Sequence, residues 1–205
     1  MSLKRLLKKP AGEQTLEERI LAMLIQLKDT SELQINLAYT ALLTNNKEIA
    51  EDIFELEEKF DQFHTEFELE VLKMELPDGE EKRRLGLIRL GVAAENLSDA
   101  AAQMAEIVLR GVEVHPLMKI ALQEADERVS RETIESTSIL ANKTLSQLRL
   151  EDHGTRIFAV KRNDQWTYDP RGRFKLLPGD IIYAGGYKEA VERLEDVARG
   201  KLDEL

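Results

Sequence analysis

Apolar residues recur with a period near 3.6 over the first half of the chain and nearer two over the second half. Leu16, Ile20, Met23, Leu24 and Leu27, followed by Ile35, Ala38 and Leu42, share one helical face and predict a first long helix over 15–45. Asn45-Asn46 predicts its end. Ile49, Ile53, Leu56, Phe60, Phe63, Phe67 and Val71 form an aromatic-rich stripe that predicts a second helix. Pro77-Asp78-Gly79 predicts a turn, since Pro fixes φ and Gly admits positive φ. A third helix is expected from Glu80. Along it Leu87, Leu90, Ala94, Leu97, Ala101, Met104 and Val108 alternate steps of three and four, a seam suited to antiparallel neighbours. Gly111 and His115-Pro116 predict its end, and Leu117, Ile120, Ala121 and Leu122 predict a short connecting helix.

Past that point the pattern shortens. Residues 129–135 read as a polar, exposed strand, 144–150 as a short helix, 156–162 as a strand, and 166–168 as its hairpin partner across Asn163-Asp164. Residues 181–184 predict a fully apolar strand, and 188–199 an amphipathic helix with Ala190, Val191, Leu194 and Val197 inside. The predicted fold class is α+β in two domains: a three-helix bundle over 1–113, a connecting helix over 114–127, and a small α/β domain over 128–205. A domain of roughly 75 residues sits near the lower edge of independent stability, which predicts further burial in a homodimer.

Charge sharpens this division. Residues 1–127 carry 15 Lys and Arg against 26 Asp and Glu, whereas 128–205 carry 14 against 13, so the net charge of −10 belongs to the helical part. An acidic chain does not suit general nucleic-acid binding, which needs a basic surface to neutralise phosphate. With no cysteine there are no disulfides and no thiolate ligands, as expected in a reducing compartment. Lys4, Arg5, Lys8 and Lys9 precede no apolar run, so the basic start reads as a loose tail rather than a signal peptide. No run of about 20 apolar residues is present, and no membrane span is expected.

Candidate chemistry is sparse. Gly185-Gly186 follows an apolar strand, yet neither the dinucleotide nor the P-loop glycine motif occurs. No nucleophile, base and orienting group fall into a catalytic pattern, so a non-enzymatic role is expected. Trp166, Tyr168 and Phe174 read as hairpin packing rather than a base-stacking platform. His64, His115 and His153 fall on different predicted elements without ligand spacing, and ordinary surface or partly buried roles are expected for them.

Four pieces stand in a recognisable order over about 60 residues: Lys143-Thr144-Leu145, the strand 157–162 ending in Lys161-Arg162, the turn Leu177-Pro178-Gly179-Asp180, and the strand 181–186 leading into a helix. Together they resemble the TrkA C-terminal (RCK-C) domain of potassium channel and transporter regulators. Asn142 stands where that family commonly has glycine, a tolerable exchange because Asn also enters the left-handed region. The resemblance implies a cytoplasmic, ligand-sensing subunit, reaching the inner membrane face through a partner cation channel or transporter. It also implies a small-molecule ligand held between two copies, in some members a cyclic dinucleotide. By position the ligand-binding candidates are Arg149, His153, Arg156 and Ile157, the two arginines being suited to phosphate.

The helical part resembles the PhoU family of three-helix bundles, which carry Glu-x-x-x-Asp metal motifs on two helices. Glu57-x-x-x-Asp61 and Glu95-x-x-x-Asp99 match that spacing, with Ala94 where the family often has arginine. A separation of four puts both carboxylates on one helix face, and oxygen ligands suit a hard cation, so the resemblance implies a metal ion on Glu57, Asp61, Glu95 and Asp99. Eleven acidic residues fall between Glu48 and Glu75, and a solvated helix face is the alternative reading of the first pair. Two functional expectations follow: a ligand-sensing regulator of cation transport, or a PhoU-type metal-binding adaptor for a transporter.

Overall fold

The computed structural model describes residues 15–75, 77, 81–112, 115–117 and 127–204. Expectations that fall on the basic start, on Asp78-Gly79 and on most of the connecting helix lie outside the described residues. Packing divides the chain into two units. One comprises the described residues up to Ala38 together with Ala50–Gly111; the other comprises Tyr39–Ile49 and the described residues from Val112 onward.

Three long helices make up the first unit, apart from the end of the first and the start of the second, which fall in the other: α1 (Leu16–Thr44), α2 (Lys47–Leu72) and α3 (Glu81–Leu109). Thr15 and Glu18 close a reciprocal cap at the start of α1, Thr15 N–H donating to Glu18 Oε2 at 3.0 Å and Glu18 N–H to Thr15 Oγ1 at 3.2 Å. Asn45 ends α1 in the left-handed region at φ 51°, and Asn46 Oδ1 accepts the Ile49 N–H to start α2. The predicted stripe of α2 is buried, with Ile53, Leu56, Phe67 and Val71 fully enclosed. Ile20, Leu27, Phe60, Phe67, Val71 and Ala94 form one core cluster.

α3 matches its predicted seam in part. Ala94, Ala101 and Val108 are buried as expected, together with Gly91, Ser98, Ala102 and Ala105, while Leu90 is 55% exposed and Leu97 46% exposed. Mostly small residues turn inward, and Leu87 packs partly buried against the core. Inside, Gln34 Nε2 donates to Ser98 Oγ at 2.7 Å, which satisfies a hydroxyl that apolar packing alone would strand.

In the second unit a four-stranded antiparallel sheet has the order β1-β4-β2-β3, with β1 (Glu127–Thr133), β2 (Thr155–Arg162), β3 (Gln165–Tyr168) and β4 (Ile181–Tyr187). The β2-β3 hairpin turns at Asn163, φ 54°, as its Asn-Asp pair predicts. α4 (Leu145–Leu148) and α5 (Lys188–Ala198) accompany the sheet. Ile134, Leu140, Leu148, Ile157, Ile182 and Leu194 belong to its core. β1 is not the exposed strand that its polarity predicts: Ser130 and Glu132 are buried. Glu132 is paired there, taking two hydrogen bonds from Arg199 at 2.8 and 2.7 Å. Trp166 stacks on both Tyr168 and Tyr183, whereas Phe174 packs against the core cluster instead of joining the hairpin.

The Leu-Pro-Gly-Asp turn is held by its last residue. Asp180, 1% exposed, accepts two hydrogen bonds from Arg162, at 2.6 and 2.7 Å, and one from the Leu177 N–H at 2.8 Å. Gly179 supplies the positive φ of 85°. Gly186 is needed for a different reason, since a Cβ there would lie 2.0 Å from the Gly154 carbonyl oxygen. Removing one partner of a buried, hydrogen-bonded charge pair leaves the other charge stranded. Asp180→Ala should therefore destabilise the protein by roughly 3 kcal/mol, the low end for such a loss because Arg162 keeps contact with solvent; urea unfolding of the full chain measures it.

Candidate functional site

Two arrangements of polar side chains stand out, one in each unit. In the second unit α4 is capped by Thr144, whose N–H donates to Gln147 Oε1 at 2.9 Å. Arg149 ends α4 in the left-handed region at φ 49°, a 3-10 turn occupies Leu150–His153, and Gly154, φ 78°, passes the chain into β2. Two reversals in six residues bring Arg149 and Arg156 to one cleft of about 290 Å³. Asp152, Ile157, Asp169 and Gly172 also line it.

Both arginines are met by carboxylates. Arg149 Nη2 lies 2.5 Å from Asp152 Oδ2, and Arg156 Nη2 lies 2.7 Å from Asp169 Oδ1. All four side chains are more than half exposed, so these pairs are weak and exchangeable. Of the four predicted ligand residues, Arg149, Arg156 and Ile157 line the cleft; His153, exposed on the 3-10 turn, is not among the lining residues. The partners Asp152 and Asp169 escaped sequence reasoning. The first was legible as an acidic residue three positions beyond Arg149. The second is fixed only by the fold, its N–H donating to the Phe158 carbonyl at 2.8 Å.

In the first unit carboxylate oxygens of Glu57 and Asp61 from α2 and Asp99 from α3 lie within 4.8 Å of one another. Burial, with Asp61 and Asp99 alongside, pushes Glu57 above the usual carboxylate range. Three converging oxygen donors of like charge fit a hard divalent cation by donor type. The fourth predicted ligand, Glu95, turns elsewhere: its Oε2 lies 3.1 Å from His64 Nδ1.

A long three-helix bundle is thus joined in one chain to a small antiparallel α/β unit with an arginine cleft. Comparison with known families gives both halves a name: residues 24–108 match the PhoU domain and residues 129–199 the TrkA-C domain, so the chain joins a PhoU domain to a TrkA-C domain. Among curated relatives, the probable potassium channel protein 2 of Methanocaldococcus jannaschii is 33% identical over 91 residues, covering 43% of this chain and 26% of that protein. The ammonium/H(+) antiporter subunit AmhM of Alkalihalophilus pseudofirmus is 25% identical over 113 residues, covering 55% of this chain and 68% of that protein. The chain thus spans about a quarter of the first relative's length and about two thirds of the second's. Among solved structures, the GsuK RCK domain aligns over 54% of this chain and 24% of its own, at 18% identity and a TM-score of 0.32. No helix among the described residues is long and apolar enough to cross a membrane.

The raised Glu57 has a consequence for stability. Its proton is held more tightly in the folded than in the unfolded chain, so its contribution falls as pH rises from the ordinary carboxylate value through the raised one. Glu57→Gln is expected to stabilise the metal-free protein at neutral pH and to flatten that part of the stability profile relative to wild type. Denaturant unfolding of both proteins from acid to neutral pH checks the sign.

Proposed function

We propose that this protein is a regulatory subunit of potassium or related cation transport, in which a small anionic ligand occupies the TrkA-C cleft and alters how the subunit engages a membrane channel or transporter. The observation that carries the reading is the pair Arg149 and Arg156, set at one cleft and each paired with an exposed carboxylate. Supporting it are the TrkA-C and PhoU domains and the potassium channel protein and antiporter subunit among the relatives. Displacing Asp152 and Asp169 is the local event. A ligand shared by two copies would favour one dimer geometry, and the change in population is the signal. The role is non-enzymatic and cytoplasmic, at the inner membrane face through the transport partner.

A second reading is favoured by the convergence of Glu57, Asp61 and Asp99. In it the PhoU domain binds a hard divalent cation through those three carboxylates and acts as a metal-dependent adaptor. Binding would offset the burial and the neighbouring charges of Asp61 and Asp99 that raise Glu57.

Ligands that bind only the folded chain raise its stability by mass action. Thermal unfolding of the full chain against cyclic dinucleotides, ATP, NAD, K⁺ and Mg²⁺ separates the two readings. A nucleotide at about 100 times its Kd should add about 2.7 kcal/mol, and Arg156→Ala should abolish the gain while leaving any response to Mg²⁺ intact. Nucleotide stabilisation that survives in both Arg149→Ala and Arg156→Ala would remove the cleft from the account.

A further inference from the structure

His64 does not fit the ordinary role that its isolation in the sequence predicts. It is 5% exposed on α2, one turn beyond Asp61 and one turn before Glu68. Its Nδ1 lies 3.1 Å from Glu95 Oε2 on α3. The pair is satisfied with Nδ1–H as donor and the carboxylate as acceptor, which leaves Nε2 as the ring nitrogen able to take a ligand. That Nε2 is buried and has no hydrogen-bond partner. A buried ring nitrogen without a hydrogen-bond partner is unfavourable and calls for a ligand.

What Nε2 faces indicates which one. Glu68 Oε1 stands 3.7 Å away, too far and too poorly placed for a hydrogen bond but close to a metal bite. Donor atoms about 2.1 Å from a tetrahedral zinc lie about 3.4 Å apart. Gly91 keeps this side of the ring open, since a Cβ there would lie 3.1 Å from Nε2 and 2.9 Å from Phe67 Cε1. Glu95, fixing the ring through Nδ1, is the outer carboxylate that ligating histidines characteristically use.

We infer that His64 Nε2 and Glu68 form a second metal site on the bundle, selective for a borderline divalent cation such as Zn²⁺, with Glu95 as the positioning residue that orients the imidazole. It goes beyond both proposed readings. The donors differ from the all-oxygen cluster, imidazole favouring Zn²⁺, Fe²⁺, Co²⁺ or Ni²⁺ over Mg²⁺. With two protein ligands the ion keeps water in its remaining positions, so the site is open and exchangeable rather than structural.

The test uses the full chain, stripped of metal with EDTA, with ¹⁵N-labelled histidine. Zn²⁺ should shift the His64 Nε2 resonance, and Mg²⁺ should leave it in place. Glu95→Gln should weaken Zn²⁺ binding by about tenfold or more, and His64→Gln should remove the high-affinity phase in calorimetry. The Asp61→Asn, Asp99→Asn variant should keep the Zn²⁺ response of His64 while losing Mg²⁺ binding, which separates this site from the carboxylate cluster. A His64 resonance unmoved by saturating Zn²⁺ in the wild-type protein overturns the inference, whether or not the variants fold. So does loss of the His64 response in the Asp61→Asn, Asp99→Asn protein, because the two sites would then be one.

Discussion

The helical domain depends on which face α3 turns inward. That face is a row of small residues, Gly91, Ala94, Ser98, Ala101, Ala102 and Ala105, with Val108 at its end. Leucines in the same row would hold the helices further apart, since interaxial distance follows side-chain size at the contact. With this face inward, acidic side chains of α2 and α3 meet. Glu57, Asp61 and Asp99 come within 4.8 Å, and the buried imidazole of His64 fits against Gly91 with Glu95 in reach. The bundle's packing and its chemistry are therefore one constraint. Burial, with Asp61 and Asp99 beside it, raises Glu57 above the usual carboxylate range, the kind of perturbation that clusters at functional sites.

The TrkA-C domain meets the opposite problem, that of holding a small core together. Buried charge does much of this: Asp180 ties Arg162 to the turn before β4, and Glu132 ties Arg199 at the end of α5 to β1. These pairs are well bonded and poorly exposed on the carboxylate side, so they serve as fixed struts. The arginines of the cleft are different in kind. Arg149 and Arg156 pair with exposed carboxylates. The contrast within one domain separates arginines bonded to buried carboxylates from arginines paired at the surface.

Much of this was legible in the sequence. Helical periodicity predicts α1 and α2 almost to their ends, and Asn45, Asn163 and Gly179 mark turns that need positive φ. The ordered pieces from Lys143 to Gly186 lead to the TrkA-C domain, and the two Glu-x-x-x-Asp motifs to the PhoU domain. The failures share a cause, which is that one-dimensional pattern records polarity and not partners. Leu90 and Leu97 read as part of the α3 seam because they are large and apolar, yet the inward face carries mostly small residues beside Val108. β1 looked exposed because Glu132 is charged, although Arg199, 67 positions away, satisfies it. Glu95 reads as a fourth cluster ligand until its neighbour across the helices is seen to be His64.

The central claim is that the TrkA-C cleft is a ligand site whose arginines change partners. Hydrogen–deuterium exchange of the full chain, with and without a cyclic dinucleotide, addresses it directly by reporting on the cleft's own backbone. The account predicts slowed exchange confined at first to residues 149–157 and 169–172, the segments that carry Arg149, Arg156 and Asp169. Unchanged exchange there, with protection appearing instead on the helices of the PhoU domain, would contradict it.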